Sequence, residues 1–138
     1  MSSTLTNLEP FYVLDTHVLI WYLQNDPRLS PTARAVFTAA EANRTVLVIS
    51  AIVMAELYYV NRKQKWFADF EAVFNLMTSK SFVRFIAVEH SHVLDFVQDD
   101  NIPEMHDRII AGVARRMGAP WVTMDIAITS AGVARVIW

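Results

Sequence analysis

The chain has 138 residues, 54% of them apolar, with twelve basic against fourteen acidic side chains and a formal charge of -2. That length closes one sizeable core and is short for two, so a single domain over residues 1–138 is expected, and the weak negative charge offers polyanions no general attraction. The absence of cysteine excludes disulfides, thiol nucleophiles and Cys-ligated zinc, leaving carboxylates and four histidines to hold any metal.

The opening MSSTLTNLEP carries no basic segment leading into an apolar one, so residues 1–9 read as a loosely ordered N-terminal extension and not as a signal peptide. No later stretch approaches ~18 uncharged apolar residues, so no membrane span is expected, and a cytoplasmic protein is. Phe11 to Leu14 is apolar without alternation, as a strand covered on both faces reads. Asp15-Thr16 then switches the pattern to a helix over His17 to Leu23. Ser30-Pro31 opens a second helix reaching about Ala42, with a capping residue followed by proline at its first position. Thr45 to Ile49 is the next strand, and Ser50 leads into a helix containing Met54 and Leu57.

Trp66 to Met77 spaces Phe67, Phe70, Val73, Phe74 and Met77 at three and four, which is an amphipathic helix. A strand from Phe82 to Val88 and a helix from about Ser91 to Gln98 follow. After Asp99-Asp100-Asn101-Ile102-Pro103, a long helix runs from Met105 to Met117 with Gly118 as its C-terminal cap. Trp121 to Thr123 is a short strand, Ile126 to Ser130 a helical turn and Val133 to Ile137 a last strand. Strands alternating with helices argue for a three-layer α/β/α fold around a central parallel sheet of four or five strands, whose carboxyl-end loops form the ligand crevice.

Four acids fall where that crevice should be. Asp15 ends the first strand, Glu56 lies almost two turns into the third helix, Asp107 opens the long helix and Asp125 follows WVT. Each has an ordinary explanation: Asp15 and Asp125 as caps, Glu56 as a partner of Tyr59 or Lys63, Asp107 as a first-turn acid favoured by the helix dipole. These share no cause, whereas one cation site accounts for all four. Oxygen ligands without cysteine suit Mg²⁺ or Mn²⁺, and the chemistry such ions serve is phosphodiester hydrolysis.

Thr16, Ser50 and Thr123 each lie beside a strand end, where a hydroxyl either caps or holds water or phosphate. Arg108 either neutralises Asp107 or reaches a substrate phosphate. His17 and His106 adjoin two of the acids, while His90 and His92 are two apart and share no helical face, which argues against zinc. The densest positive run is Arg62, Lys63 and Lys65, a solvated helix end or the flank of a nucleic-acid track. Exposed Trp21, Tyr22, Tyr58, Tyr59 or Trp66 would suit base stacking. The aromatic content is large for a core of this size, so a partner-facing surface is expected.

The segments YVLDTHVLIWYL, DPRLSPTAR, ISAIVMAEL and PEMHDRIIAGVARRMGAPWVTMDIAI resemble, in that order and spacing, the PIN-domain family, and more closely the VapC-like ribonuclease toxins of VapBC-type toxin-antitoxin pairs. The resemblance covers nearly everything from residue 11 onward. It implies a PIN-like fold, Mg²⁺ or Mn²⁺ bound by Asp15, Glu56, Asp107 and Asp125 with Thr123 beside them, and endonucleolytic cleavage of RNA. It also implies a homodimer and a small cognate antitoxin whose C-terminal segment covers the groove. One departure is visible: IAITSAG after TMD offers no further acid, leaving the fourth-carboxylate side sparse. The competing expectations are another Mg²⁺-dependent phosphohydrolase or DNA nuclease, and a non-catalytic interaction module.

Overall fold

The computed structural model describes residues 7–65, 69–125 and 135–138. Among them, five strands, β1 (Phe11–Leu14), β2 (Val46–Ser50), β3 (Val83–Ile86), β4 (Trp121–Val122) and β5 (Val136–Ile137), form one sheet in the order β3-β2-β1-β4-β5. Every pairing is parallel. The helices are α1 (Thr16–Leu23), α2 (Pro31–Glu41), α3 (Ala51–Gln64), α4 (Phe70–Thr78), α5 (His90–Leu94) and α6 (Met105–Met117). They cover both faces of the sheet, giving the three-layer α/β/α architecture.

Burial explains the missing alternation in the central strands: Tyr12, Val13, Leu14, Leu47, Val48 and Ile49 are all 0% exposed, so neither face of β1 or β2 meets water. At the edge, β3 is only half-buried and exposes Arg84, whose guanidinium lies 5.1 Å from the Phe11 ring. The chain steps outward from β1 to β2 to β3, then returns to the other side of β1 for β4 and β5. The direction of winding therefore reverses at β1, and the crevice opens between the carboxyl ends of β1 and β4.

Local signals set the helix ends. Ser30 Oγ accepts from the Ala33 N–H at 3.1 Å ahead of Pro31, and Gly118 closes α6 at φ 61°, a left-handed conformation that costs glycine little. The described part of the fourth helix begins at Phe70, where Asp69 accepts from Glu71 N–H and Ala72 N–H; Trp66 and Phe67 of the expected helix lie outside the described residues. The expected helix over 91–98 divides into α5 and a 3₁₀ turn, Asp95–Gln98. Asp95 and Asp99 are thereby both buried against α6, in paired hydrogen bonds with Arg116 (2.5 and 2.9 Å) and Arg115 (2.9 and 2.9 Å).

The turn expected at Ile126 to Ser130 and the start of the last strand at Val133 lie outside the described residues, as do residues 1–6. Glu9 is tied down: its carbonyl accepts from Thr45 Oγ1 at 2.7 Å and its carboxylate meets Arg135 at 3.2 Å. Among the described residues no helix is long and apolar enough to cross a membrane.

Candidate active site

Asp15 leaves β1 in an extended conformation (φ -77°, ψ 158°) and caps α1, with Oδ1 accepting from Thr16 N–H at 2.9 Å. The neighbouring strand supplies the second contact. Asp15 N–H donates to Val122 O at 3.1 Å, which draws the residue after β4 alongside, and Thr123 Oγ1 donates to Asp15 Oδ2 at 2.6 Å. The same hydroxyl accepts from Asp125 N–H at 3.1 Å, turning the chain so that Asp125 borders the crevice.

Glu56 arrives from α3 and is gripped from two sides. Thr16 Oγ1 donates to Oε1 at 2.6 Å, and His106 Nδ1 lies 2.9 Å from Oε2. The next residue on α6, Asp107, borders the same pocket, about 250 Å³ in volume, with Asp15, Glu56, Asp125 and Glu104. Burial and then the charges of Asp15, Asp125, Glu56 and Glu104 push the Asp107 carboxyl up to about 7. Asp15 is also raised, by burial first, against the opposing hydrogen bonds from Thr123 and Thr16. Asp107 thus feels all three other acids named from the sequence, Asp15, Glu56 and Asp125.

The PIN domain family profile matches residues 12–133. The chain belongs to the PIN domain family. Solved structures share its fold: VapBC2 from Rickettsia felis, bound to a DNA fragment from its promoter, at TM-score 0.69 and 21% identity over 92% of this chain and 97% of that one. VapC20 of Mycobacterium tuberculosis, described as a Sarcin-Ricin loop cleaving toxin, matches at 0.64 and 19% over 88% and 95%. DNA-bound VapBC from Salmonella typhimurium matches at 0.64 and 19% over 94% and 98%. None of the curated proteins matches the chain.

In this PIN domain the acids share a pocket without closing into a ligand cage: among the described residues, no three Asp, Glu or His side chains are grouped so as to hold a metal ion. The donor chemistry nonetheless fits a hydrated Mg²⁺ or Mn²⁺. The donors are hard oxygens, their mutual repulsion is what a cation relieves, and Mg²⁺ keeps several waters while using only one or two carboxylates.

The remaining residues singled out from the sequence occupy several settings. Thr16 borders the pocket and Thr123 reaches it through Asp15. Ser50 is 0% exposed and caps α3, accepting from Ile52 N–H at 3.3 Å. Arg108 Nε donates to Ile102 O at 2.6 Å. His17 borders the pocket, whereas His92 Nδ1 accepts from Glu89 N–H, away from it. Glu104 was missed. Its signal was an acid directly after the Ile102-Pro103 break, three residues before Asp107 on the first turn of the long helix.

Proposed function

We propose that this PIN domain is a Mg²⁺- or Mn²⁺-dependent endoribonuclease, the toxin of a toxin-antitoxin pair. One observation carries the reading: an acid from the start of α6, raised to about 7 partly by acids that follow β1 and β4 and by one from α3, in a pocket at the point where the sheet's winding reverses. Asp15, Glu56, Asp107 and Asp125 are the residues that would hold the ion. A bound divalent cation supplies Lewis-acid charge toward a phosphodiester and eases deprotonation of water. The chain's own part is orientation: Thr123 fixes Asp15, Thr16 and His106 fix Glu56, and the α6 start presents Asp107.

The likeness in fold to VapBC structures supports a short antitoxin as the protein partner, and the same proposal includes a homodimer. The test offers matched RNA, DNA and phosphomonoester substrates with Mg²⁺ or Mn²⁺. RNA alone is expected to be cut, and Asp15→Asn should abolish cutting with folding intact. Cleavage by that variant at the wild-type rate sinks the assignment. Preference for DNA or the monoester favours the other phosphohydrolase reading, and absence of Mn²⁺ binding by calorimetry favours a non-catalytic module.

A further inference from the structure

Five carboxylates, Asp15, Glu56, Glu104, Asp107 and Asp125, line the pocket and no Lys or Arg does, so attraction for a polyanion has to come from outside it. Four of the twelve Lys and Arg side chains are spent on carboxylates: Arg28 on Asp26, Arg115 on Asp99, Arg116 on Asp95 and Arg135 on Glu9. Arg34 and Arg108 donate to the carbonyls of Asp26 and Ile102. Arg44 and Lys80 precede β2 and β3, and Arg84 lies near the start of β3, toward the amino ends of the strands and away from the crevice. Among the described residues no carboxylate pairs with Arg62, Lys63 or Lys65, at the end of the helix that carries Glu56, where Arg62 donates to the Tyr58 hydroxyl at 3.3 Å.

That helix stays beside the pocket, because Val60, one turn beyond Glu56, still borders it. Tyr59 and Lys63, four apart, share an exposed ridge next to Val60. Tyr58 is braced, edge-on to Phe70 at 5.2 Å with the Arg62 guanidinium 5.9 Å from its ring. Tyr59 remains 69% exposed, edge-on to Tyr58. Lys63 lies ~10 Å along the helix axis from Glu56, about three stacked nucleotides at roughly 3.4 Å each.

We propose that Tyr59 and Lys63, with Arg62 and Lys65 behind them, form a subsite for single-stranded RNA leading out of the acidic pocket, a base stacking on Tyr59 and the backbone passing Lys63. The proposal rests on the nuclease reading for the chemistry in the pocket, but the subsite binds RNA whether or not the strand is cut. Two basic residues in a last helical turn also suit the helix dipole. That role is indifferent to RNA length, whereas a subsite is not.

The experiment measures anisotropy of a labelled 12-nucleotide RNA in EDTA, and KM and kcat in Mg²⁺ for the 12-mer and for a dinucleotide too short to reach Lys63. Tyr59→Ala is expected to weaken 12-mer binding and raise its KM about tenfold, with rescue by Tyr59→Trp. Lys63→Ala should flatten the salt dependence of log affinity by about 0.7. Dinucleotide cleavage by Lys63→Ala and the 12-mer kcat of both variants should stay at wild-type values, and Arg44→Ala should change nothing. Wild-type 12-mer binding and KM in both variants overturn the subsite and leave the ridge to a protein partner, with the nuclease reading intact. An equal loss on the dinucleotide in Lys63→Ala overturns it too. Sensitive 12-mer binding by a chain that cuts no RNA upholds the subsite and sinks the nuclease.

Discussion

Thr123 Oγ1 donates a 2.6 Å hydrogen bond to Asp15 Oδ2, joining side chains 108 residues apart in sequence. Thr123 is 0% exposed, so water cannot replace it. The bond favours the ionised carboxylate and partly offsets the burial that raises Asp15. Thr123→Val keeps the shape and removes the donor, a loss of about 1.5–3 kcal/mol for a bond to a charged group. Calorimetric titration at pH 7 should find Mn²⁺ bound about tenfold or more weakly, with Thr123→Ser restoring affinity. Unchanged affinity in the valine variant would show that Asp15 needs no such support.

Asp107 makes the metal-free protein sensitive to pH. Its folded-state pKa, about 7, lies above its unfolded value of roughly 4, so the folded state holds the proton more tightly. The stabilisation is fully present below the unfolded value and is lost as pH rises through about 7. Asp107→Asn removes the dependence. In EDTA the variant should match wild type near pH 4 and be more stable at pH 8, by about 1–2 kcal/mol once solvent screening of this half-exposed group is allowed for. Thermal melts at the two pH values test this, and an identical wild-type-to-variant difference at both removes the argument. Mg²⁺ at pH 8 should stabilise wild type more than the variant.

Much of this geometry was legible in the sequence because parallel topology does the placing. An acid close behind a parallel strand stands near the sheet's carboxyl edge, and this places Asp15, directly after β1, and Asp125, three residues past Val122, beside the crevice. Asp107 was legible from Pro103 and the clean helix behind it. The partners of Glu56 were not: helix spacing offered Tyr59 and Lys63, but Thr16 and His106 hold it, and contacts between α3, α1 and α6 leave no periodic trace. The Ile102 carbonyl as acceptor for Arg108 Nε was likewise not legible, since it is freed by the turn before α6 and leaves no mark beside Asp107 in the sequence. The 3₁₀ turn at Asp95 follows from a tertiary demand, two buried carboxylates meeting Arg115 and Arg116, which overrides local helix propensity.

The Asp99–Arg115 pair fastens that turn to α6. Asp99 is 0% exposed and accepts two 2.9 Å bonds from the guanidinium. Asp99→Ala leaves Arg115 without its acceptor in a largely buried setting, at a cost of about 3 kcal/mol or more. The thermal midpoint should fall by about 10 °C. Asp95→Ala should cost less, because the Arg116 side chain is 46% exposed and water can take over its donors. A larger drop for Asp95→Ala would locate the fastening at the other pair.

Glu56 has one donor on each oxygen, Thr16 Oγ1 on Oε1 and His106 Nδ1 beside Oε2, so its carboxylate plane is set by α1 and α6 together. His106→Ala frees one oxygen to rotate, and about a tenfold loss of kcat is expected with KM for RNA unchanged, since the imidazole is assigned to orienting Glu56 and not to binding the strand. His106→Asn places an amide donor near the position of Nδ1 and should recover most of the rate. Thr16→Ser should be near wild type, while Thr16→Val should lose rate and weaken Mn²⁺ binding. Equal rates for His106→Asn and His106→Ala would mean that the hydrogen bond is idle, and a KM effect without a kcat effect would move His106 to the substrate's side of the pocket.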